Sequence, residues 1–157
     1  MSSEQETQSQ IDQLAEQRNN LNADISGYTT QVNDLKKALD AKDAAIKTAQ
    51  DFKNTYCSDL EQKVRDFSTS LDQLRPTFSN AMAQESQAGS KIDDLDKNLS
   101  NSATAVRSAV DALIGRLQKE RDAINSSLGS AQKSLESAQQ SKESIQQRIN
   151  DLWDSIH

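Results

Sequence analysis

The chain has 157 residues, of which 34% are hydrophobic and 4% aromatic, and it carries a formal net charge of −6. Acids and bases are interspersed with no block of Lys or Arg, which argues against a phosphate-neutralising nucleic-acid surface and against a basic amphipathic face for anionic lipid. No apolar run is long enough for stable membrane insertion, and MSSEQETQSQ lacks the basic start and apolar stretch of a secretory signal, so the expectation is a protein soluble and cytoplasmic on synthesis that, if exported, leaves by a signal-peptide-independent route.

Residues 1–8 hold no apolar anchor and read as a disordered tail, leaving 9–157 as a single domain. Helix one is expected over about 9–74. Its apolar residues recur at alternating three- and four-residue steps, through Ile11, Leu14, Leu21, Ile25, Tyr28, Val32, Leu35, Leu39 and Ile46. Gly27 weakens this helix without breaking it. Past Ile46 the spacing changes to Phe52, Tyr56, Leu60 and Val64 at fours, a stutter that locally unwinds a supercoil and suggests aromatics filling a widened part of the bundle. Cys57 reads as a small, semi-buried helix residue beside Tyr56.

Arg75-Pro76 is the only proline step, and it predicts that the first helix stops or kinks there. A turn and a short helix should come next over 75–89, with Phe78 and Met82 four apart. Gly89 suits a left-handed position after a helix end, and Ser90-Lys91-Ile92-Asp93 reads as an N-cap with its acid. Helix two is expected over 90–156, from Ile92 and Leu95 through Leu113, Leu117, Ile124, Leu128 and Ile149 to Ile156, with stutters near Val106–Val110 and Ile124–Leu128. Gly115 and Gly129 are read as tolerated helix glycines or points of close helix approach.

Ile11 and Ile156, the first and last seam residues, have their midpoint near position 84, inside the expected break. The fold class is therefore all-α, an antiparallel helical hairpin or coiled coil of two long helices with a break near 75–90. A parallel dimer of extended rods is the competing arrangement.

Beside the seam lies a weaker stripe of small residues, Ala38, Ala41, Ala45 and Ala49 on helix one and Ala105, Ala109, Ala112 and Ala123 on helix two. Such residues let another backbone approach, or simply raise helix propensity. Arg18, Lys42 and Lys142 occupy seam positions, where polar residues fix register or partner choice. Trp153 either anchors a partner or packs over residues 8–14 of the returning helix.

No phosphate loop, nucleophile elbow or His-Glu-x-x-His motif is present, and one Cys and one His cannot make a metal site. The expectation is a non-enzyme with neither cofactor nor metal, whose partner is another helical protein or a second copy of itself.

The Leu35-Lys36-Lys37-Ala38-Leu39 stretch with Ile46 and Phe52, the break at Pro76 to Asn80, and the closing helix Leu113 to Leu128 resemble the small helical-hairpin partners of LXG toxins in Gram-positive type VII secretion, relatives of the WXG hairpins. Phe78-Ser79-Asn80 stands where that family places Trp-x-Gly, and no Tyr-x-x-x-Asp/Glu tail follows helix two. The resemblance implies an adaptor or chaperone that binds the helical N-terminal domain of a toxin and helps present it for export, with Phe78 among its partner-facing residues. A self-assembling spacer of a phage or cell surface is the alternative reading.

Overall fold

The structure, a computed structural model, describes residues 2–81 and 86–157. The described residues are almost entirely helical, with no strand among them: α1 spans Ser3–Phe52, a π turn Lys53–Cys57, α2 Ser58–Ala81 and α3 Ser86–Ile156. The protein is an all-α helical hairpin, α1 and α2 pairing antiparallel with α3.

The boundaries depart from the periodicity in four places. Helix α1 begins at Ser3, so residues 3–8 of the expected tail are helical, because Ser2 and Gln5 form a capping box: the Gln5 backbone N–H donates to Ser2 Oγ at 3.2 Å and the Ser2 backbone N–H to Gln5 Oε1 at 3.0 Å. Pro76 does not end the first helix. It sits exposed inside α2, which continues to Ala81; the bias of a proline against helix at the residue before it is a preference and does not prevail here. Gly89 and Ser90 are helical residues within α3, with neither a left-handed position nor an N-cap, since α3 has started at Ser86. The expected short helix over 75–89 is thus split between the end of α2 and the start of α3, and its Met82 lies outside the described residues. The fourth departure, at the stutter, is a true π turn, and the aromatics beside it point outward.

Two compact units make up the chain. One comprises Met1–Ala41 with Arg121–His157. Its core is thin and alternates large with small side chains, Val32 and Leu128 against Ala131, with Leu35, Leu39 and Leu135 packed around them. Arg18 occupies a half-buried seam position and donates to Gln146 Oε1 at 3.0 Å. Ile124 and Leu128 are successive steps of a regular repeat here, with no stutter between them.

The other unit is Lys42–Glu120. Ile46, Ala49, Cys57 and Leu71 are buried on α1, the π turn and α2, and Ala103 and Ile114 on α3. Cys57, at 1% exposure, is the most enclosed side chain described, well beyond the semi-buried state expected of it.

Candidate functional site

The second unit departs most from its sequence pattern. Its seam passes through Ala49, Lys53, Cys57, Glu61, Val64, Ser68 and Leu71 on one side and through Asp96, Leu99, Ala103, Arg107, Val110 and Ile114 on the other. Four of these are charged. Lys53 pairs with Asp111 at 2.6 Å, Lys42 with Glu120, and Arg107 with Glu61. The Arg107 guanidinium reaches Glu61 through both Nε and Nη2, a bidentate geometry, and Nη2 also donates to Ser58 Oγ at 3.3 Å. Among the described residues no buried side-chain polar atom is left without a partner.

These pairs carry a pH signature. The hydrogen bond from Arg107 holds the Glu61 carboxyl below the usual glutamate range against the opposing effect of desolvation, and the hydrogen bond and charge of Lys42 do the same for Glu120. A folded-state value below the unfolded one stabilises the fold above the unfolded value, and that contribution disappears as pH falls through the lowered one. Acidification from neutral pH is therefore expected to leave the melting temperature nearly level until about pH 4.3 and then lower it. In Glu61→Gln/Glu120→Gln the decline below that pH should be shallower in a thermal-melt series, and an unchanged decline would show that these pairs contribute nothing.

Placing charges in the seam turns large apolar residues out of it. Phe52, Tyr56, Leu60, Phe67 and Leu74 each stand one position before, or in line with, a seam residue, as do Leu95, Val106 and Leu113 on α3, and all eight are 37–63% exposed. In an antiparallel pair, positions preceding the seam on both helices fall on the same side. A common face results: Ala45, Thr48, Ala49 and Phe52 meet Val110, Leu113 and Leu117 in one open groove of about 520 Å³. The opposite side carries Lys47, Gln50, Asn54, Ser58, Gln62 and Arg65 with Ser100, Thr104 and Ser108, without one large apolar residue. The unit is apolar on one side only. In the first unit the corresponding groove is polar, lined by Asp24, Lys133, Ser134, Ser137 and Ser141 beside Leu21 and Tyr28.

Of the partner-facing residues expected from sequence, Ala45 and Ala49 line the apolar groove, although Ala49 is itself buried. Ala105, Ala109 and Ala112 are exposed on α3, with Ala109 one turn before Leu113 and so beside the same groove. Ala38 and Ala41 belong to the first unit, half-buried and exposed respectively. The Phe78 side chain lies outside what is described. Trp153, 48% exposed, stacks on His157 with ring centroids 4.1 Å apart, where packing over residues 8–14 was one expectation.

Sequence reading assigned Leu60, Leu95, Val106 and Leu113 to the seam, and the structure moves them to the face. The readable signal was the set of complementary charges Lys53, Glu61, Arg107 and Asp111 at seam or near-seam positions, which the structure pairs across the two helices.

Among the described residues no three His, Cys, Asp or Glu side chains converge as a metal site would require, and no helix is long and apolar enough to cross a membrane. No family model, curated protein or solved structure matches the chain.

Proposed function

We propose that the protein is a non-enzymatic adaptor that docks helices of a partner protein on the apolar face of its second unit. The observation that carries this reading is the one-sidedness of that unit. At roughly 200 Å² for a large apolar side chain, the exposed fractions of the eight residues amount to on the order of 700 Å², close to the ~800 Å² per partner of a standard stable interface. Apolar area of that extent, bordered by polar residues, marks an interaction site. A pair of amphipathic helices is the shape that covers a surface two helices wide, as in a four-helix bundle.

The finer reading, a targeting factor or chaperone for a type VII secreted LXG toxin, draws on the resemblance of the Leu35–Leu39 stretch and the hairpin layout. It implies synthesis in the cytoplasm and export, with or without the toxin, independently of a signal peptide. The width of the face fits a second copy as well, which keeps a self-assembling spacer as the alternative.

Sedimentation velocity of the purified chain, alone and with the helical N-terminal domain of an LXG toxin encoded beside it, tests the proposal. The adaptor reading expects a stoichiometric complex with that domain. A stable homo-oligomer that ignores the domain favours the spacer, and a monomer that is independent of concentration and binds nothing overturns both.

A further inference from the structure

We infer that the π turn at Lys53–Cys57 is a register switch that opens and closes the docking face, an inference that rests on the docking reading. In the sequence, Val32, Leu39, Ile46, Lys53, Leu60, Phe67 and Leu74 recur at steps of seven without a break. A helix that kept this frame would turn Tyr56, Leu60, Phe67 and Leu74 toward α3. The structure abandons the frame at the π turn, which accommodates one extra residue and rotates the rest of the helix by roughly 100°. Cys57, Glu61 and Leu71 take the seam instead.

The segment thus has two seams one residue apart. One mixes Cys57, Val64 and Leu71 with the Arg107–Glu61 pair; the other, with Leu60, Phe67 and Leu74, is apolar and now faces outward, and Lys53 is common to both. Straightening the π turn to ordinary α-helix would carry Leu60 and Phe67 toward Leu99 and Ala103 and release Glu61 to water. In that register the chain's own α3 covers part of the α2 stripe that a partner would bind. A partner helix on the face therefore stabilises the π turn, and the π turn in turn favours the partner, by the reciprocity of linked equilibria.

Cys57, the only cysteine, reports the register. It is sealed in the occupied seam, whereas in the straightened register Tyr56 takes the seam and Cys57 turns out to the polar side. The test is the rate of maleimide alkylation of the isolated chain. Deleting Thr55 removes the inserted residue and makes the open register regular, so labelling is expected to slow at least tenfold with no loss of helicity. Arg107→Leu removes the cation that Glu61 needs, so labelling should quicken at least tenfold. A second reporter separates switching from unfolding: in a Cys57→Ser background, the Leu60→Cys thiol should label more slowly when Arg107→Leu is added. Opposite movements at the two sites support the switch. Equal acceleration at both, which is what unfolding gives, or rates unchanged by either variant, overturns it. Because only the isolated chain is used, failure here leaves the docking proposal standing, and failure to find a partner leaves this result standing.

Discussion

Phe52→Glu combined with Leu113→Glu is expected to weaken binding of a helical partner at least a hundredfold while leaving the helicity of the free chain unchanged. Both side chains line the apolar groove, one from α1 and one from α3, so a partner helix seated there must desolvate both. Truncating a central apolar anchor costs about 2 kcal/mol or more, and two such anchors together approach 4 kcal/mol, near a thousandfold in affinity. Their proximity makes the two effects less than additive, which sets the lower figure. In the free chain the same substitutions exchange exposed apolar surface for exposed charge, so folding should lose little. Titration calorimetry of the double variant against the partner decides the matter. Wild-type affinity would place the interface elsewhere, and a collapse of helicity would show that these residues serve the fold.

Replacing Gly27, Gly115 and Gly129 together with alanine is expected to raise stability by about 1.5–3 kcal/mol, at ~0.5–1 kcal/mol for each helix-interior glycine. A Cβ placed at any of the three meets nothing within 4 Å, so no neighbour has to move. Among the described residues no glycine adopts a positive φ, so the freedom that glycine offers is unused in the folded chain. The gain comes from the unfolded ensemble, which has fewer conformations to lose. For a chain of this size it corresponds to roughly 5–10 °C in melting temperature. The same observation decides between the two sequence readings of Gly115 and Gly129: neither marks a close helix approach. A melting temperature that stays level or falls would mean that one of them bends in a state other than the one described.

How much of this was legible in the sequence depends on the unit. In the first, every apolar residue of the repeat from Ile11 to Leu39 is buried or half-buried, because a three-four periodicity with no competing frame has one packing solution. The division of the chain followed from the symmetry of the stripe about residue 84, since α2 ends at Ala81 and α3 starts at Ser86. The second unit defeated the same method for a physical reason. Periodicity counts apolar residues, and there the apolar frame and the charged frame lie one residue apart. Pairing of Glu61 with Arg107, residues distant in sequence, selects the charged one, whereas Lys53, paired with Asp111, lies in both frames. No count along a single helix contains that information. The start of α1 was within reach, since Ser2 and Gln5 have capping-box spacing, but a search for apolar anchors passes over a start stabilised by hydrogen bonds alone.

Helices built from seven-residue blocks can slide past one another by one block and still bury apolar side chains. Arg18 with Gln146 in one unit, and Lys42 with Glu120 in the other, work against such slippage within each. A shift of one block displaces the partner by ~10 Å along the axis, far beyond the span of a hydrogen bond, so neither contact survives it. A molecule pulled open by heat is thereby biased to close again in its original alignment.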